Sequence, residues 1–232
     1  MKRAPSSRFF WVLVGGLFVS ATVLPAAPIL NGAFDISGTI TVVDSSSITW
    51  TLPPPNKALI GSTSGSFAGL TGTNVTINNL TNPPAVVDGA GFPDEEFISF
   101  DADPTLPTLL INFIFQGVNP SAACGAPPAV GQLCALPNSP FDFQNTAGGG
   151  SRAGFVFSGV TSDGLSHWTG NFTSQFSVPY QTIFAQLATN GSVTNTYSAT
   201  FTVTSIPEPN TVLFVIGALG IFIGYRRKRR TV

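Results

Sequence analysis

Tyr197-Ser198-Ala199-Thr200-Phe201-Thr202-Val203 alternates an apolar with a small polar residue, and Val193-Thr194-Asn195-Thr196 leads into it in the same style. Successive side chains of an extended strand point to opposite faces, so this stretch offers one face to a core and one to water. The same period of two recurs along the chain. Trp168, Phe172, Phe176 and Val178 fall at even spacing, as do Phe34, Ile36, Ile40 and Val42, then Ile48, Trp50 and Leu52, then Val75 and Ile77. Phe155, Val156, Phe157 and Val160 make another strand, and the nearly continuous apolar run Leu109 to Phe115 reads as a central one. Pro53 to Pro55, Pro83-Pro84 and Gly148 to Gly150 punctuate the runs. Only Gln181 to Ala188 has helical spacing, through Ile183, Phe184 and Leu187, with Asn190-Gly191 as its stop. Many strands and one short helix predict an all-β fold, a single antiparallel β-sandwich, for which a jelly roll is one form. No internal repeat of propeller or solenoid length is present.

Composition supports a folded domain. Of 232 residues 43% are hydrophobic and 9% charged, which excludes a disordered chain. The net charge of −1 conceals a segregation. Lys2, Arg3 and Arg8 stand at one end and Arg226, Arg227, Lys228, Arg229 and Arg230 at the other, leaving only Lys57 and Arg152 between them. Two cations against ten carboxylates from Asp35 to Asp163 give the middle a charge of −8. Nucleic-acid binding through a basic surface is thereby excluded.

The ends direct the chain. Lys2, Arg3 and Arg8 precede an apolar run from Phe9 to Leu24, and the small residues Ala26 and Ala27 follow. This layout predicts a secretory signal peptide over residues 1–26, its helix removed by signal peptidase after Ala26. Residues 27–204 then form the exported domain, and 205–232 a terminal signal. There, Pro207-Glu208-Pro209 leads to an apolar run from Val212 to Gly224, then Tyr225 and five consecutive basic residues. As a helix those thirteen residues rise about 20 Å, against a hydrocarbon core of about 30 Å. An interfacial Tyr225 and a cytoplasmic basic cluster favour a transmembrane helix over residues 212–224 nonetheless.

This C-terminal unit closely resembles the PEP-CTERM protein-sorting domain of Gram-negative bacteria. The resemblance covers Ile206 to Arg230 only; Asn210 stands where many members carry Ser. It implies a substrate of an exosortase, a membrane-embedded transpeptidase-like enzyme that cuts near the triplet. The exported protein would be held in the membrane first, then released to the cell envelope or exterior, as a non-enzymatic surface or biofilm component associated with exopolysaccharide. Two prolines fix φ and remove two backbone donors, so Pro207 to Pro209 stays out of strand and helix alike and Glu208 is its one readable charge.

The exported domain carries few residues suited to chemistry. Cys124 and Cys134, the only cysteines, predict a disulfide once the chain is exported. His167 is the only histidine, and in a strand its side chain points away from that of Ser166, so a triad with Ser166 and Asp163 is not expected. Asp94, Glu95, Glu96, Asp101 and Asp103 are the densest charged group, a candidate calcium site or a solvated acidic face. Trp50 and Trp168 are candidates for a carbohydrate surface or for the core. The expectation is therefore a surface protein without cofactor or catalytic residues; a carbohydrate-binding module is the first alternative and a secreted hydrolase the second.

Overall fold

The computed structural model describes residues 30–43, 47–50, 56–80 and 89–206. Residues 1–26, expected to be a signal peptide, the apolar segment 212–224, Pro207 to Pro209 and the basic cluster Arg226 to Arg230 lie outside the described residues.

The strands are β1 (Gly32–Val43), β2 (Ser47–Trp50), β3 (Lys57–Thr63), β4 (Asn74–Ile77), β5 (Gly91–Phe100), β6 (Leu109–Ile114), β7 (Leu133–Ala135), β8 (Asp142–Asn145), β9 (Ser151–Thr161), β10 (Ser166–Phe176) and β11 (Val193–Ser205), with helix α1 (Tyr180–Asn190) before the last. All pairings are antiparallel. Neighbours run β10-β11-β1-β3-β4-β5-β6-β9, and β9 also pairs with β10 along ten rungs, from His167 opposite Val160 to Phe176 opposite Ser151. That pairing corrects the sandwich expectation: the eight strands close into one barrel, with no second sheet among the described residues. A sandwich and a barrel bury the same alternate residues, so the pattern along each strand cannot separate them. Closure depends on which strands meet at the ends of the order.

Burial follows the period of two. Ser151, Ala153, Phe155, Phe157, Gly159 and Thr161 of β9 are buried, as are Tyr197, Ala199, Phe201 and Val203 of β11. The interior is filled with rings. Phe97 of β5 stacks on Trp168 of β10 at 5.8 Å and meets Phe157 of β9 at 5.7 Å; Phe34 of β1 stacks on Phe201 at 4.9 Å. Such filling is what an eight-stranded barrel has room for. The outer face of β10 and β11 carries His167, Thr169, Asn171, Thr173 and Gln175, then Thr194, Thr196, Ser198, Thr200 and Thr202. An apolar inside and polar outside invert the pattern of a barrel that crosses a membrane.

Two glycines set the interior spacing. A Cβ on Gly159 would lie 1.8 Å from the Leu110 carbonyl oxygen, because β6 meets β9 there next to a bulge at Ile111–Phe113. One on Gly170 would meet the Phe201 ring at 2.7 Å. Large rings opposite missing side chains are how the barrel accommodates so many aromatics.

The two ends are closed differently. At one, a short 3₁₀ turn (Gly65–Phe67) inserts the fully buried Phe67 against Phe34 and Phe100, and Ser166 Oγ donates to the Leu30 carbonyl. At the other, α1 covers an apolar cavity of about 50 Å³ lined by Val42, Phe143, Phe155, Ile183 and Leu187, among others. Pro179 precedes the helix and supplies no side-chain cap; instead Asn145 Oδ1, from β8, accepts the Tyr180 N–H at 3.0 Å. Gly191, at φ 72°, ends the helix in the left-handed conformation and donates to Leu187 O, as the Asn190-Gly191 stop predicts.

The barrel also buries a polar group at a cost. Tyr197, 4% exposed, has no hydrogen-bond partner for its hydroxyl among the described residues, and burial pushes its phenol well above the usual value. An unfolded phenol ionises near pH 10 while the buried one resists, so this stability is intact below about pH 10 and lost as pH rises further, by about 1.4 kcal/mol per pH unit. Tyr197→Phe is expected to gain about 1 kcal/mol at pH 7 by removing the orphaned hydroxyl. It should also flatten the decline between pH 10 and 11. Urea unfolding at pH 7, 10 and 11 reads both effects, and an unchanged alkaline slope would exclude Tyr197 as its source.

Candidate functional site

The acidic stretch is spread out by strand geometry. Asp94, Glu95 and Glu96 lie within β5, whereas Asp101 and Asp103 follow its end, about 20 Å farther along an extended chain. Asp101 is held by Lys57 at 2.7 Å and accepts from Thr76; Asp103 accepts from Thr105, and Asp94 from Asn112. Among the described residues no three His, Cys, Asp or Glu side chains gather as a metal site would require. The five carboxylates do not converge on one point. The stretch is nonetheless a strand, whose inward Phe97, Ile98 and Phe100 are buried while its acidic half lies outside.

Ser166 and His167 stand on opposite faces. Ser166 is fully buried with its hydroxyl committed to Leu30, while His167 is exposed opposite Val160 and Thr204. Asp163 caps its own turn, accepting from Thr161 Oγ1 and Leu165 N. Both candidate tryptophans are core residues, Trp50 at 1% and Trp168 at 2% exposure. Trp168 Nε1 donates to the carbonyls of Leu110 and Val160 at 2.9 and 3.1 Å. Neither ring can meet a sugar.

Cys124 and Cys134 form a disulfide with Cα atoms 5.1 Å apart. In the chain-entropy account so short a loop adds about 3 kcal/mol. An amide cluster ties the bridged loop to the barrel: Asn145 Nδ2 donates to Gln132 Oε1 and Gln181 Oε1, and Gln181 Nε2 donates to Gln132 Oε1 and Ala126 O. Tyr180 Oη donates to Ala123 O, and burial raises this phenol too.

This anchored loop walls a cleft of about 410 Å³ on the outside of the barrel. It opens where one edge of β9 changes partner, from β6, paired through Phe157, to β8, paired from Gly154. Phe115 flanks the gap, 42% exposed, with its N–H bonded to Val156 O. The floor is the rung Asp142–Gly154–Thr173, with Gln144 and Arg152 on the next rung and Asn171 beside Val156. A second cleft of about 330 Å³ shares Gln144 and Arg152 and continues past Val130.

No family model, curated protein or solved structure matches this chain.

Sequence reasoning passed over this cleft. Its one legible trace is Arg152, which with Lys57 makes up the cations of the whole middle segment. Lys57 is spent on Asp101, whereas Arg152 has no ion pair or hydrogen bond to any described residue. Gly154 carried no signal, and Asn171, part of the sequon-like Asn171-Phe172-Thr173, carried none that would place it beside Arg152, because strand pairing alone brings them together.

Proposed function

We propose that the chain is exported, sorted by an exosortase through its C-terminal signal, and matured into a non-enzymatic protein of the cell surface or biofilm matrix. One observation carries this reading: Pro207-Glu208-Pro209, the apolar segment 212–224 and the basic cluster Arg226 to Arg230 occur in the required order, with a signal-peptide pattern at the opposite end. The Cys124–Cys134 bridge suits an oxidising compartment. A barrel packed with rings and faced with hydroxyls suits a stable exterior module, and the sole histidine stands on the outer face while the buried Ser166 beside it is committed to Leu30.

Expression in hosts with and without an exosortase, followed by intact mass measurement of the exported protein, tests the reading. Maturation is expected to remove Arg226 to Arg230 only where the enzyme is present, and Pro207→Ala with Pro209→Ala is expected to block the removal. Recovery of the basic cluster on the exported, matured protein would defeat it.

A further inference from the structure

The joined clefts beside Arg152 form a trough lined by polar side chains. Gln144, Arg152, Asn171 and Thr173 line it, and none of these four has a side-chain hydrogen bond to a described residue. Other hydroxyls of the outer face, such as Thr169 and Thr202, are equally open to water, so what distinguishes the trough is that its free groups line one concave surface. Asp142, the one carboxylate of the trough, is engaged by the N–H groups of Val118 and Asn119. With Gln116 and Thr146, which line the two clefts and are likewise without a side-chain bond to a described residue, the free groups are one guanidinium, three amides that donate and accept, and two hydroxyls. Phe115 adds an exposed ring, and Leu133 and Val130, 41% and 72% exposed, add apolar wall.

Gly154 is the second observation. A Cβ there would meet nothing nearer than Phe172 O at 3.8 Å, ordinary contact, so packing does not require glycine. Glycine in a strand interior weakens it, and here its effect is to leave the floor of the cleft open.

We infer that this trough binds a neutral polysaccharide chain. Sugar hydroxyls donate and accept and so match unpaired amides, while the C–H face of a sugar ring lies on an exposed aromatic. Two clefts sharing Gln144 and Arg152 suit an extended ligand, and 410 Å³ lies within the roughly 300–1,000 Å³ of small-ligand sites. A polyanion is disfavoured by the charge of −8 on the surrounding domain. The floor strand offers a peptide no edge, since β9 is paired with β10 on one side and with β6 and β8 on the other, and the open edge of β7 is only three residues long. The inference leans on the proposed surface role for the presence of polysaccharide around the barrel, and on the trough alone for binding.

The full chain, purified in mild detergent, is titrated calorimetrically with neutral glucan, mannan and galactan hexasaccharides and with a polyuronate hexasaccharide. At least one neutral hexasaccharide is expected to bind. Arg152→Gln and Asn171→Ala, both at exposed positions, should each weaken it roughly ten-fold, and Gly154→Val should abolish it with little change in melting temperature. If Gly154→Val does not fold, the two exposed variants still decide. The inference is overturned if no neutral hexasaccharide binds, if only the polyuronate does, or if binding survives all three substitutions unchanged. None of these results touches the C-terminal mass that tests sorting, so the two readings fail separately.

Discussion

Gly159→Ala is expected to prevent the barrel from forming. The added methyl would sit 1.8 Å from the Leu110 carbonyl oxygen and 2.8 Å from its carbon, and both belong to backbone that cannot rotate aside. Relief requires moving β6 away from β9, which breaks the ladder from Leu109–Thr161 to Ile114–Phe157. It would also draw the Leu110 and Val160 carbonyls from Trp168 Nε1. A loss above about 4 kcal/mol is expected, a large part of the 5–15 kcal/mol that holds a typical domain. Gly154→Ala on the same strand is the control, because its Cβ meets only ordinary contact and should change stability by under about 1 kcal/mol. Circular dichroism and thermal unfolding of both variants read the contrast. Equal melting temperatures would show that β6 does not approach β9 so closely.

Trp168→Ala should cost about 4–5 kcal/mol, through loss of the ring and the cavity it leaves among Phe97, Gly159 and Phe201. The more telling experiment pairs the two buried tryptophans. Trp50 and Trp168 are equally inaccessible, but Trp168 Nε1 donates twice, whereas Trp50 Nε1 has no partner among the described residues. Substitution by Phe removes a satisfied donor at one site and an orphan at the other. Trp168→Phe is therefore expected to cost about 2 kcal/mol more than Trp50→Phe, since losing a bonded donor destabilises and losing an unbonded buried one relieves a penalty. Denaturant unfolding of the two variants measures the difference; a reversed order would mean that the interior groups are satisfied otherwise than described.

Much of the barrel is legible residue by residue. The alternation of Tyr197 to Val203, the even spacing of Trp168 and Phe172, and the run from Leu109 each mark a strand that forms, because a half-buried strand enforces period two on its own sequence. The Asn190-Gly191 stop and the Ile183, Phe184, Leu187 spacing mark α1 for the same local reason, the needs of a helix end and face. β5 is less legible, since Asp94, Glu95 and Glu96 hide the alternation of a strand whose outer half is acidic. β7 and β8 are short and sit among prolines and glycines, where period two has no length to show itself.

The sequence by itself determined the local elements, the polarity of each strand's two faces, the cysteine pair and the segregation of charge to the ends, because each depends on neighbours in the chain or on simple count. Only the tertiary structure decided that β9 and β10 close a barrel and that Trp50 and Trp168 lie inside it. It likewise decided that five nearby carboxylates diverge and that Arg152, Gly154 and Asn171 share a cleft. Those outcomes rest on register between strands far apart in sequence. A single strand's period of two is the same whichever partner it meets.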